Sequence, residues 1–334
     1  MAYWKGMTWV IVAYVAAFAA AVLFGHFTPV ADPLLLAVLA DLVATFVVFA
    51  FSVGFNNSSF YDAYWSVAPV PMAMWWAGWV GGGNPVRAAL VVGLISLWAV
   101  RLTLNWATGW AGLTHEDWRY VNLRKQTGAA YWAVSLLGLH LFPTLMVMAG
   151  LWPAYVATTS PAPLGVLDGL GMLVMLGAIV LEGTADVQLR SFRARVQDPQ
   201  ANIEEGLWRW SRHPNYLGEM LFWWGLAIFA IAVDPHHLPT IAGACAMSCM
   251  FLFVSIPMME KRMVERRPVY ASYIQRVPMV VPWRTPKPAP IAPERKPLDP
   301  PSSRRGVPMQ MPTEPTIDSL RDVEFDPHTG PFKQ

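Results

Sequence analysis

Long apolar stretches broken by short polar ones set the pattern of this chain. Runs at about 4–24, 33–53, 86–106, 131–151, 164–183, 216–233 and 239–258 approach or exceed the length at which a helix crosses a bilayer, about 20 residues. A further run at about 66–81 is shorter and carries Pro69 and Pro71, so it crosses, re-enters or lies in the interface. The pattern predicts an all-α fold, a polytopic transmembrane helical bundle of seven or eight helices. Lys5 ahead of the apolar stretch from about Thr8 to Phe24 could mimic a signal peptide, but further apolar runs follow and the segment is long enough to be a retained first span. From about Thr285 the apolar runs stop and prolines with scattered charges take over. This divides the chain into a membrane domain, 1–284, and a disordered Pro-rich cytoplasmic tail, 285–334.

Composition sharpens the picture. Of 334 residues, 55% are hydrophobic and only 14% charged, against about 25% charged in soluble domains. The tryptophans suit the membrane–water interface. Nothing points to a nucleic-acid partner. Charge placement orients the later helices. Segment 107–130 carries Arg119, Arg124 and Lys125, and segment 184–215 carries Arg190, Arg193, Arg195, Arg209 and Arg212. After 258 come Lys261, Arg262, Arg266 and Arg267, whereas 152–163 and 234–238 hold no Lys or Arg. The positive-inside rule puts the basic segments and the C-terminus in the cytoplasm of a bacterial-type inner membrane. Cys245 and Cys249 lie four apart on an apolar helix and read as small buried hydrophobes, not as a disulfide or a metal site.

Polar residues cluster at the ends of the apolar runs. Arg101 and Asn105 share a helix face at i, i+4. His115-Glu116-Asp117 lacks a second cluster to complete a metal site, so none is expected. Glu182, Asp186, Arg190 and Arg193 follow one another at helical spacing, with Glu182 inside or just below the apolar run. A carboxylate there is costly and needs a compensating partner. The stretch from Gly206 to Glu219 packs Arg209, Arg212, His213, Asn215, Tyr216 and Glu219 against the start of the next run. Arginine forks there suit phosphate oxygens, and Pro214 marks a helix start whose free amides favour anions. On the N-terminal side, Asp62 and Tyr64 are protic groups just ahead of Pro69 and Pro71, and Asp41 lies within the second run without an identifiable partner. Walker loops, nucleophile elbows and the glycine fingerprint of dinucleotide folds are missing from the sequence.

These motifs resemble the steroid 5-alpha-reductase family, chiefly its bacterial membrane relatives. The likeness is carried by Glu182-x-x-x-Asp186-x-x-x-Arg190-x-x-Arg193, by Gly206-Leu-Trp through Asn215-Tyr-Leu-Gly-Glu219, and by the Arg-Pro-x-Tyr close that ends at Trp283. Motifs like Tyr61-Asp-x-Tyr-Trp-Ser and Asn105-Trp…His115-Glu-Asp-Trp-Arg-Tyr120 extend it toward the N-terminus. The resemblance implies an NADPH-dependent oxidoreductase that reduces a double bond conjugated to a ketone. It implies cofactor binding by Asp186, Arg190, Arg193 and Asn215, to which the phosphate argument adds Arg212 and the helical spacing adds Glu219. Glu182 stands where the steroid enzymes have asparagine. An acid and a tyrosine near the substrate carbonyl are also implied, for which Asp62 and Tyr64 are the candidates. The expected partner is an apolar enone lipid entering from the bilayer. Arg212-His213-Pro214-Asn215-Tyr216-Leu217-Gly218 also resembles membrane methyltransferases of the isoprenylcysteine or phospholipid type, which use S-adenosylmethionine. A non-enzymatic lipid-binding role is the third alternative.

Overall fold

The computed structural model describes residues 2–285, and the tail expected beyond Thr285 lies outside them. Every regular element among the described residues is helical. Seven helices are long and apolar enough to span: α1 (Ala2–Phe27), α2 (Pro33–Gly54), α3 (Pro85–Gly109), α4 (Trp118–Thr159), α5 (Val166–Arg195), α6 (Pro214–Val233) and α7 (Pro235–Arg266). A short helix, α8 (Tyr270–Arg276), follows. The expected all-α bundle is what forms.

Local chemistry fixes the helix starts. Asp32 accepts from the Leu35 amide and Asn84 from those of Val86 and Arg87, each followed by a proline in the first turn. Asp117 caps α4 and Pro214 opens α6. Many large apolar side chains, such as Phe18, Leu97, Leu145, Leu173 and Phe253, remain exposed. On a soluble protein they would be a liability; on a bundle bathed in lipid they are the outer surface. Cys249 belongs to that surface and Cys245 is half-buried, so neither is the fully buried hydrophobe the sequence suggested.

The ambiguous run at 66–81 forms a broken helical connector: Tyr64–Val67, Pro69–Trp75 and a π-helical turn, Trp76–Val80. Its beginning lies at the end of the bundle that holds the α3–α4 loop, because Asn57 Nδ2 donates to the Leu113 and His115 carbonyls. Its finish lies at the opposite end, where the Asn84 amide donates to the Ser160 carbonyl. Gly83 presses there against the chain so closely that a Cβ would come within 1.9 Å of the Thr158 oxygen. The connector therefore runs the length of the bundle as an eighth crossing. We call the end with Asn57 and the α3–α4 loop the polar end.

α6 is the most buried span and packs against α4, α5 and α7, while α3 packs on α4 and α5. The main core contains Trp76, Trp98, Leu151, Met175, Phe222 and Trp223. A second core joins α1 and α2 to the start of the connector through Val10, Val48, Phe60, Tyr61 and Tyr64. At the end opposite the polar one, buried Arg87 grips Asp168 through Nε (2.6 Å) and Nη2 (3.0 Å) and donates to the carbonyls of Ala162 and Pro163. This clamp ties α3 to the α4–α5 turn.

Candidate functional site

The shared face of Arg101 and Asn105 on α3 turns toward α5. Arg101 bridges Glu182 (2.7 Å) and Asp186 (3.1 Å), and Asn105 accepts from Arg190. Asp186 is therefore held by a neighbouring helix and not by Arg190 on its own. α6 brings the next carboxyl. Gly218 sits so close to α5 that a Cβ would meet the Glu182 Cβ at 2.6 Å, and this approach sets Glu219 beside Glu182. Glu219 is almost fully buried and accepts two indole hydrogens, from Trp98 and from Trp223, both at 2.9 Å. A buried carboxylate without such donors would be strongly unfavourable.

Asn215 is one turn before Glu219 on the same helix face. Its Oδ1 is buried and has no hydrogen-bond partner among the described residues. Tyr216, beside Asn215 on α6, lies within electrostatic reach of Arg119, Asp117, Asp186 and Glu182. Arg190 and Arg193 are exposed at the polar end of α5, and Arg193 has no hydrogen-bond or ion-pair partner among the described residues. Five of the expected cofactor residues thus come together: Asp186, Arg190, Arg193, Asn215 and Glu219.

Arg212 goes elsewhere. It pairs with Glu260 through Nε (2.6 Å) and Nη2 (3.3 Å), and its Nη1 donates to the Ile274 and Val277 carbonyls. His213 Nε2 reaches the same Glu260 oxygen at 2.9 Å. Burial pulls the His213 ring below the usual histidine range, opposed by its bond to Glu260. With these partners Arg212 anchors the loop before α6 to α7 and α8. Its fork is not open to a phosphate.

Asp62 and Tyr64 face different partners. The Asp62 carboxylate accepts from the Tyr120 hydroxyl at 2.6 Å, and the charges of Asp117 and Arg119 reach it. Burial raises Asp62 above the carboxylate range, to about 7, against the opposing Tyr120 bond. Tyr64 donates at 2.6 Å to Asp41, which supplies the partner that Asp41 lacked in the sequence. Beside this pair, Thr144 links Thr45 (2.9 Å) to Tyr61 (2.7 Å). Trp65 joins the two regions, since its ring lies 5.8 Å from that of Trp98, the donor to Glu219.

A family model described as a protein of unknown function (DUF1295) matches residues 48–277. The chain belongs to that family. It is also similar to an uncharacterized protein of Schizosaccharomyces pombe, with 26% identity over 279 residues that cover 76% of this chain and 81% of the relative. No solved structure matches the chain. The range matched to DUF1295 takes in every residue of the locus around Arg101, together with Asp62, Tyr64 and Tyr120, and leaves Asp41 outside.

Trp98 and Trp223 were not among the residues the sequence singled out, and Tyr120 entered only as the end of a motif. A signal existed for the first two. Trp98, Arg101 and Asn105 recur at helical spacing on one face of α3, and Trp223 follows Glu219 by four. Tyr120 stood in the His115–Tyr120 motif, but nothing in the sequence pointed to its partner Asp62, which comes from the segment ahead of the connector.

Proposed function

We propose that this DUF1295 protein is a membrane-embedded reductase that uses NADPH to saturate a carbon–carbon double bond conjugated to a ketone in an apolar, lipid- or steroid-like substrate. The observation that carries the reading is the continuity of one buried polar locus on α3, α5 and α6 with exposed arginines at the polar end of α5. The residues fit the cofactor. Exposed Arg190 and Arg193 suit its phosphates. The buried, unpartnered Asn215 Oδ1 suits a ligand N–H, and Glu219 is rigidly held beside it by two indoles. Asp186, fixed by Arg101, orients this group; Arg212 supports it through the loop it anchors. NADPH bound there supplies a hydride.

The protein's remaining task is to hold the substrate oxygen and deliver a proton. Tyr64 and Asp41 share a short hydrogen bond inside the bundle, next to Thr45 and Thr144. A carbonyl arriving at this pair takes a hydrogen bond that stabilises enolate charge. Asp62 with Tyr120 is a second acid–tyrosine pair nearer the polar end, and its ionisation near neutrality suits proton exchange with water. The substrate enters from the bilayer. The basic polar end and the C-terminus face the cytoplasm of a cell membrane, by the positive-inside rule.

Titration calorimetry of detergent-purified protein with NADPH, followed by NADPH-oxidation assays on apolar enones, tests this reading. Saturable NADPH binding that weakens in Arg190→Ala, with enone-dependent oxidation, supports it. Binding of S-adenosylmethionine without NADPH would move the assignment to a methyltransferase. Binding of neither by folded protein would favour a non-enzymatic lipid-binding role.

A further inference from the structure

A cleft of about 350 Å3 opens at the polar end between the first turns of α4 and the last turns of α7, and it shares no residue with the locus around Arg101. Its lining divides by chemistry. Arg119, Lys261 and Arg262 bring cationic groups, Glu265 brings a carboxylate, and Trp118 and Met258 bring apolar surface. The Arg262 guanidinium lies 3.8 Å from the centre of the Trp118 ring, a stack that holds it at the cleft wall. Arg119 shares its charge with Asp117 at 2.8 Å, and Arg266 reaches Arg262 electrostatically from the next turn of α7. These basic groups outnumber the carboxylates of Asp117 and Glu265, so the cleft carries a positive surplus. It also sits where protein meets lipid. About one turn before Met258, Phe253 and Val254 are exposed on α7, part of the apolar surface that a bilayer covers. A ligand that fits both halves has an anionic head and an apolar body.

We infer that this cleft binds the headgroup of an anionic phospholipid, its phosphate on Lys261 and Arg262 and its chains against Met258, Val254 and Phe253. Basic pockets between membrane helices recognise such heads by charge, each nearby Lys or Arg strengthening binding about fivefold. A zwitterionic head would press its own cation against Lys261 and Arg262, so charge discriminates among lipids. A soluble phosphate would meet the same cations and leave the apolar half uncovered, and the test separates the two sources. The inference asks nothing of the reductase reading, since no nucleotide, hydride or enone enters it.

Native mass spectrometry of the full chain in detergent, titrated with phosphatidylglycerol or with phosphatidylcholine of the same chains, counts the lipid retained. Wild type should hold phosphatidylglycerol about tenfold more tightly. Lys261→Gln/Arg262→Gln should bring the two lipids within about twofold of each other. Arg195→Gln/Arg209→Gln removes as much charge from exposed positions outside the cleft and should keep the wild-type preference. Should the first double variant fail to fold, Lys261→Gln alone should cut the preference about threefold. Equal retention of both lipids by wild type, or an equal loss in the cleft and control variants, overturns the inference. Inorganic phosphate and NADPH are the soluble competitors. Lipid retained in their presence upholds a lipid source, whereas displacement by either assigns the cleft to a soluble phosphate and ends the inference.

Discussion

Tyr64 and Asp62 are two residues apart yet hydrogen-bond to opposite sides, and the difference sets what each substitution should do. Tyr64 reaches inward to Asp41. Removing its hydroxyl in Tyr64→Phe takes away the proposed donor and leaves the α3–α5–α6 locus untouched. Turnover of an enone should fall by about 10²–10⁴-fold, the range for general acid catalysis, with the NADPH dissociation constant unchanged in calorimetry. Asn215→Ala should do the reverse. It removes an amide whose oxygen has no protein partner among the described residues, so the expected effect is cofactor binding weakened about tenfold, one hydrogen bond's worth, with little loss of stability. Asp62 makes a separate prediction about pH. Its folded pKa is raised to about 7 from 3.8, chiefly by burial. The folded state therefore prefers the protonated acid, and stability that is full at low pH is lost as pH climbs toward and through 7. Asp62→Asn abolishes this dependence. In thermal unfolding of the solubilised protein, the variant's advantage over wild type should be larger at pH 8 than at pH 5, by about 2–4 °C for each kcal/mol relieved. An equal advantage at both pH values would contradict the assignment.

At the scale of helices, the close approach of α5 and α6 builds the site. Gly218 is where it happens, and the sequence offered Gly218 only as part of a motif. A methyl group there would lie 2.6 Å from the Glu182 Cβ and 2.8 Å from the Ala178 carbonyl oxygen. The second contact is backbone and cannot swing away, so Gly218→Ala must push the helices apart. Overpacking of this kind costs about 1–3 kcal/mol. Its signature should be a lowered unfolding midpoint together with weakened cofactor binding, which Asn215→Ala should not show. The seven long spans were legible because hydrophobic length is a one-dimensional signal. The connector was not, since Pro69 and Pro71 break the run that would have revealed a crossing, and only its end contacts at Asn57 and Asn84 show that it traverses the bundle. Arg87 and Asp168 were hidden for a related reason: each is an isolated charge near the start of an apolar run, and their pairing appears only once α3 and α5 are set side by side. Arg212 shows the opposite case. Its motif suggested an anion site, but arginine type alone does not reveal that Glu260 and two carbonyls from a later segment already occupy the fork.

The eighth crossing governs the topology of the whole molecule. With seven crossings, the two ends of the described chain would lie on opposite faces of the membrane. With the connector counted as a crossing, they share the polar end: Tyr3 donates to the Ala107 carbonyl at the foot of α3, and the Arg212 amide in the loop before α6 bonds to the Pro278 carbonyl beyond α8. Such an arrangement matters for the proposed chemistry, because Arg190 and Arg193 open on that same end and must meet a cofactor dissolved in the cytoplasm. Single-cysteine labelling in intact cells tests it, in a background where Cys245 and Cys249 are replaced by serine. A membrane-impermeant maleimide should label Gly82→Cys, in the turn after the connector, and label a cysteine at Thr114 in the α3–α4 loop only after the cells are opened. The turn that holds Gly82 packs on the far end of α4, so protection at both positions would mean that the connector re-enters without crossing. Labelling of Thr114→Cys alone in intact cells would invert the bundle and put Arg190 and Arg193 on the outer face, where an NADPH-dependent reaction has no supply.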